Sequence, residues 1–330
     1  MTNTSVDTKP KNAMIYKPYS KFVTFMKRLF KEKPMGVAGA IIVLIVLFVG
    51  IFADFLAPYE LNDTNMKAVM KPPSAEYPLG TDNLGRDILS RIILGSRISI
   101  VVGLCGSALE VLIGVFIGII SGYFGGKVDL ILQRFVDAII IFPNLFFCLA
   151  VIAVIGPGLV QVILVLGFLG GVGSSRIIRS AVMQAKLNLY VDAAQAIGVP
   201  HSRILINHIL PNVMAPIIII FSVAMGAMII GEASLSFLGF GVPPPAPSWG
   251  GMLSGSGRKY MISAPWMAIW PGLFLSIVVF GINMLGDGVR DLLDPRLRGG
   301  VGGLGEYGAK RAKTALEKKQ KNFASKQGNN

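Results

Sequence analysis

Two cysteines and two histidines in 330 residues leave little material for disulfide or metal chemistry. Cys105 and Cys148 both fall inside long apolar runs, where a thiol packs as a small hydrophobe. His201 and His208 stand seven apart in sequence with no third ligand beside them, so a zinc site and metal catalysis are excluded. Acidic residues are scarce too, 18 against 31 basic, for a net charge of +13. In a soluble chain that surplus would suggest nucleic acid, but no aromatic and basic interleaving accompanies it. The basic residues instead flank apolar runs, as expected for anchoring and orienting membrane segments. A phosphate-binding loop is also missing: Gly125-Gly126-Lys127 has Ser121 where the leading glycine belongs and Val128 where a hydroxyl is needed. The serines at Leu253-Ser254-Gly255 and Gly255-Ser256-Gly257 miss the spacing of a nucleophile elbow, and no histidine on their side could act as base.

What the chain has is apolar length. Hydrophobic residues make up 53% and charged residues 15%, a balance that water-soluble domains of this size rarely show. Gly36 to Phe55, Ile98 to Ile120, Leu130 to Ile155, Leu159 to Val172, Val213 to Ile230 and Trp266 to Leu285 approach the ~20 residues that cross a bilayer. The spacing predicts an all-α integral membrane protein with six transmembrane helices. The fourth run is short and carries Gly167, Gly170, Gly171 and Gly173, so it is tilted, kinked or closely packed. The first run is too long, and its basic lead too extended, for a cleaved signal peptide.

Eight Lys and Arg precede Gly36 and ten follow Gly288, which places both termini in the cytoplasm. The Pro58 to Ser96 and Ala233 to Pro265 loops are then external, and Arg176 to Asn212 is internal. Trp249, Trp266 and Trp270 sit where amphipathic indoles suit the outer headgroup region. In the first external loop, Thr81 or Asp82 is a candidate cap for a helix with Leu84, Ile88, Leu89, Ile92 and Ile93 on one face. Such a helix would lie on the membrane surface as a gate, a docking surface or a plain brace.

The internal segment is the one polar island that a soluble partner could grip. Ala181 to Ile197 is rich in helix formers, Gly198 can end the helix, and Pro200 discourages continuation. A second helix, capped by Ser202, is expected over Arg203 to Leu210 until Pro211. Physics alone leaves two readings open: a docking corner, or a helix-turn-helix packed on its own bundle. Charges within the spans are costly. Glu110, ahead of Gly114, Gly118 and Gly122, lines a path or bonds between helices. Glu232 and Asn283 are weaker path candidates, and Arg134 and Asp137 are set to pair on one helical face.

The stretch Tyr190-Val-Asp-Ala-Ala-Gln-Ala-Ile-Gly198, with Leu210-Pro211, resembles the Glu-Ala-Ala loop of permease subunits in binding-protein-dependent ABC importers. Asp192 stands where that family has Glu, and His208 where it has Ile. Leu79 to Arg97, Glu232 to Gly241, Pro247-Ser-Trp-Gly250 and Asn283 to Arg296 are similar to the second permease of dipeptide, oligopeptide and nickel importers, and the likeness covers Gly36 to Arg298. It implies a type I ABC importer permease fold whose cytoplasmic coupling helix docks on an ATPase through Tyr190, Asp192, Ala193, Ala194, Ala196, Gly198, Val199, Pro200, Arg203, Leu210 and Pro211. It implies as partners a homologous permease in a heterodimer, two cytoplasmic ATP-binding subunits that hold ATP and Mg, an external substrate-binding protein and membrane lipid. This chain would carry no cofactor and catalyse nothing. Peptide is the expected cargo and nickel the alternative. An ATP-independent secondary transporter would need two related halves, and no such internal repeat is present. The expected organisation is a basic tail over 1–35, a first helix and external loop over 36–96, a permease core over 97–298 containing the 176–212 loop, and a basic tail over 299–330.

Overall fold

Helix formation along this chain starts and stops where backbone chemistry requires. A computed structural model describes residues 21–293; the basic residues expected at Lys9, Lys11 and Lys17, the Asp294 to Arg296 end of the last motif and the 299–330 tail lie outside them. The described helices are α1 (Lys21–Glu32), α2 (Pro34–Ile51), α3 (Ala53–Leu56), α4 (Ile88–Val101), α5 (Ser107–Phe124), α6 (Gly126–Ile140), α7 (Asn144–Ile155), α8 (Leu159–Lys186), α9 (Leu189–Ala196), α10 (His201–Ile204), α11 (Met214–Phe237), α12 (Trp249–Met252) and α13 (Trp266–Leu293). Among these residues the only β-feature is an isolated Thr81–Asp87 bridge. Five stretches are long and apolar enough to cross a membrane, and a sixth is the bent pair α6 and α7.

Pro34 opens α2 at the position where its missing N–H costs nothing. The helix is apolar all round and buries only Gly36, Gly39 and Gly50. A Cβ at Gly39 would lie 2.6 Å from the Leu285 backbone nitrogen, and one at Gly36 would lie 3.1 Å from Gly288 Cα. Small residues thus let α2 and α13 cross at backbone contact. Ile41, Leu44, Ile45 and Phe48 remain exposed, as suits a lipid-facing side.

The second span begins earlier than the sequence suggests. Asp82 accepts from the Leu84 and Arg86 amides at 2.8 and 3.0 Å, forming a turn with Gly85 at φ 72°. Asp87, not Thr81 or Asp82, caps the helix by accepting from Ser90 N at 2.7 Å. The expected surface helix is therefore the first part of the span itself, and Ile88 and Ile92 are buried. From Ile88 the chain stays helical to Phe124 through a π turn at Val102–Gly106. These 37 residues measure about 55 Å, against a hydrocarbon core of about 30 Å. The boundary drawn between 96 and 97 falls inside this helix.

The third span is not straight. Pro143 removes a backbone donor and biases Phe142 toward extended geometry, and α6 and α7 meet at 86°. The fourth span is not short: α8 runs 28 residues straight into the polar island. Gly167, Gly170 and Gly171 pack closely against neighbours, whereas a Cβ at Gly173 would meet nothing within 4 Å. A Cβ at Gly167 would lie 2.8 Å from Leu109 Cδ2 and one at Gly171 2.6 Å from Ile113 Cβ, while Cβ atoms added at Gly118 and Gly122 on α5 would lie 2.7 and 2.8 Å from the Ser175 and Arg179 carbonyl oxygens. The two helices form one seam of small residues on both sides.

At the end of the bundle away from the island, Trp249 and Trp266 turn their indole N–H groups to backbone carbonyls. Trp249 is buried and donates to the Ile92 carbonyl at 3.1 Å; Trp266 donates to the Thr81 carbonyl at 3.2 Å. A carbonyl within reach satisfies the indole N–H, so the rings can pin loops to the bundle.

Candidate functional site

The polar island folds as a corner. Asn188 follows the last turn of α8 and its side-chain amide donates to the Ala185 carbonyl at 2.8 Å, so the helix expected over Ala181 to Ile197 breaks at Leu187 and Asn188. A new helix, α9, then runs to Ala196. Gly198 takes φ 77°, and the Gly198 and Val199 amides close back on the Gln195 and Ala194 carbonyls at 2.9 and 3.1 Å, the glycine-ended turn expected here. Pro200, rather than Ser202, precedes α10. A π turn over Leu205–Ile209 and a 3₁₀ turn over Leu210–Asn212 lead into α11.

One face of the corner belongs to the bundle. Val191, Ala194, Ile204 and Ile209 are buried with Tyr123, Ile178, Val182 and Ala185, and Val199 and Leu210 pack against them. The other face looks outward: Tyr190, Asp192, Ala193, Ala196, Gly198, Pro200, Arg203 and Pro211 are exposed. Beside them Leu187, Leu189 and Ile197 are 83%, 85% and 80% exposed. These three carry the apolar area of that face, and sequence reasoning missed them because in a helix-forming stretch they read as core residues. The α9 boundaries decide which way they point.

The corner is bolted to its neighbours by polar contacts. His201 Nδ1 shares a 2.8 Å hydrogen bond with the Tyr123 hydroxyl, and Lys186 Nζ donates to the Tyr123 carbonyl at 2.7 Å. His201 was also missed, since its partner lies 78 residues away. On the adjoining side Arg179 grips both oxygens of Asp129, which Ser121 also contacts. Arg134 and Asp137 do approach at 3.7 Å, but the closer partner of Asp137 is Arg176 on α8. These pairs tie α5 and α6 to α8 where it enters the corner.

Midway along the bundle lies a cavity of about 530 Å³, lined among others by Glu110, Asn144, Cys148, Gly170, Gly231 and Ser234. Glu110 is buried beside Gly170, whose missing side chain leaves room for its carboxylate. Glu232 and Asn283 are not among the lining residues. Glu232 is fully buried and accepts from Ser236 Oγ at 2.6 Å. Asn283 on α13 sits against Gly226 of α11, where a Cβ would meet its Oδ1 at 2.7 Å.

Apolar helices of membrane-crossing length, a bent pair and a polar corner at one end define a multi-pass membrane protein. Residues 114–299 match the family described as binding-protein-dependent transport system inner membrane component, and residues 23–73 match the N-terminal TM domain of oligopeptide transport permease C. The chain belongs to that family of ABC transporter permeases, the non-catalytic membrane components of such systems. It is 39% identical over 82% of its length to the oligopeptide transport system permease protein OppC of Bacillus subtilis (strain 168), covering 88% of that protein. Against the dipeptide transport system permease protein DppC of Alkalihalophilus pseudofirmus the figures are 37%, 86% and 92%. Against the glutathione transport system permease protein GsiD of Pectobacterium atrosepticum they are 37%, 82% and 90%. The fold is that of a solved inward-facing chain of the MetNI methionine ABC transporter, with a TM-score of 0.50, 15% identity, and 62% of this chain and 96% of that one covered.

Proposed function

We propose that this chain is a permease subunit of an ATP-driven peptide importer working by alternating access. Oligopeptide, dipeptide and glutathione systems among its relatives support peptide over nickel. It pairs with a homologous permease, takes substrate from an external binding protein, and is driven by two cytoplasmic ATP-binding subunits that hold ATP and Mg. Both termini and the corner face the cytoplasm, as the Lys and Arg distribution favours.

The observation that carries the mechanism is the exposed apolar face of the corner, bonded at its base to the end of α5. Leu187, Leu189 and Ile197 fit a groove on an ATP-binding subunit, with Asp192 and Arg203 as polar contacts at the rim. When the ATP-binding subunits close, the corner moves. His201 and Lys186 pass that movement to Tyr123 and so to α5, whose Glu110 faces the central cavity. The cavity then changes the side to which it opens. Competitive uptake of labelled dipeptides, longer peptides and nickel in cells lacking only this subunit tests the reading. Restoration of peptide uptake by the wild-type gene is expected, and restoration of nickel uptake alone would overturn it.

A further inference from the structure

A second cavity, of about 400 Å³, opens at the end of the bundle opposite the corner, between the start of α4 and the loops around Pro243 and Ser254. The charged residues lining it are Asp82, Arg86 and Arg91, two guanidiniums against one carboxylate. Asp82 is already committed: besides the two amides of its turn it takes Arg86 Nε at 2.7 Å. Arg91 Nε comes no nearer than 3.9 Å to it. Arg91 is only 7% exposed, and its Nη1 has no hydrogen-bond partner among the described residues. Glu232, behind Ser236, accepts from that serine through Oε1; its Oε2 has no hydrogen-bond partner among the described residues, and it does not line the cavity.

A buried guanidinium with a free donor is costly unless something accepts from it. The cavity offers the space and the surplus positive charge for such an acceptor, and its volume is within the range of small-molecule sites. Ile88, Val242, Pro243, Met252 and Met267 supply apolar walls. A planar carboxylate carried on an apolar body meets both demands, since the guanidinium fork matches carboxylate geometry.

We propose that this cavity binds the terminal carboxylate of a peptide on its way into the permease, with Arg91 Nη1 donating to it. The inference rests on the peptide-importer reading and adds a substrate contact at the mouth of the path.

The test uses the whole complex of both permeases and both ATP-binding subunits in lipid nanodiscs, without the external binding protein. The probes are a radiolabelled dipeptide with an apolar C-terminal residue and the same dipeptide as its C-terminal amide. The acid is expected to bind saturably and the amide at least about tenfold more weakly, the scale of one lost charge-assisted hydrogen bond. Arg91→Met should bring the acid down to the level of the amide, and Arg91→Lys should keep part of the difference. Equal binding of acid and amide by the wild-type complex, or no saturable binding, would overturn the proposal without any variant having to fold. The affinity of the binding protein for the complex is measured alongside. A tenfold loss there in Arg91→Met, with dipeptide binding unchanged, would assign the site to an acidic side chain of the docked protein and overturn the proposal equally. Peptide uptake by wild-type cells is scored separately, so a failed site and a failed importer reading give different results.

Discussion

Ile197 shows how a single side chain separates stability from coupling. It lies 80% exposed on the corner, so replacing it removes little packing within the chain. Ile197→Asp should leave the subunit inserted at wild-type level, with a stability change within about 0.5 kcal/mol. Co-purification of the ATP-binding subunits and peptide uptake should both fall at least about tenfold, the scale of an interface anchor. Quantitative pull-down beside membrane abundance checks this; normal uptake by the variant would remove the docking role from this face. Gly198, one residue on, has a different task. A Cβ there would meet nothing within 4 Å, so glycine is needed only for its left-handed backbone. The sequence reading found Gly198 because a helix-ending glycine is a local signal. It missed Ile197 because exposure depends on where α9 starts.

At the scale of elements, the α5 and α8 seam and the end of α2 make contrasting predictions. The seam is backbone against backbone, so Gly118→Leu cannot be absorbed by a rotamer change: the added Cβ alone would lie 2.7 Å from the Ser175 carbonyl oxygen. Overpacking of this kind costs about 1–3 kcal/mol or more, and membrane immunoblots should show the variant depleted severalfold, with Gly118→Ala in between. At the far end of α2, Arg97 donates to the Gly50 carbonyl at 2.8 Å and to both oxygens of Asp54 at 2.8 Å. Hydrogen bonding to Arg97 holds the Asp54 carboxyl below the ordinary aspartate range. With the folded value depressed, the pair's contribution is complete above the unfolded aspartate pKa of about 4 and is lost as pH falls through the lower folded value. A carboxyl-carbon NMR titration should give an Asp54 midpoint that rises when Arg97 is replaced by Met. The glycine spacing made the seam legible in sequence. The Asp87 cap was not, because Thr81, Asp82 and Asp87 are all competent caps and only the turn at Asp82 decides among them.

For the whole molecule, span count and charge distribution together give a topology that labelling can check. In a background with Cys105 and Cys148 replaced by Ala, single cysteines at Gln195 and Arg203 should react with an impermeant maleimide only after the membrane is opened. One at Asn83 should react in intact spheroplasts, and the reverse pattern would invert the orientation. The apolar runs marked each helix or bent pair long and apolar enough to cross a membrane among the described residues, because burial in lipid demands apolar length. Hydropathy alone could not reveal that the third is bent by 86° at Pro143, since an apolar run reads the same in a straight span and a bent one. Nor could it show that the fourth continues into the polar corner. The cavity at Glu110 was half legible: an intramembrane carboxylate announces itself, whereas the helices that leave space beside it are set by packing. Glu232 and Asn283 announce themselves as polar groups too; Glu232 bonds Ser236 on its own helix and Asn283 sits against Gly226 of α11, so neither lines that cavity.

The unbroken helix from Ile88 to Phe124 has a thermodynamic consequence. Arg91 lies near one end and Tyr123 near the other, about 48 Å apart at 1.5 Å per residue, with the π turn at Val102–Gly106 interrupting the regular pitch between them. Two ligands that bias the position of one rod are linked reciprocally. Whatever factor nucleotide-driven closure at the corner imposes on the affinity at Arg91, occupancy at Arg91 must impose on closure. If closure tightens binding at the mouth, an occupied mouth favours closure by the same factor, and if closure weakens it, an occupied mouth opposes closure.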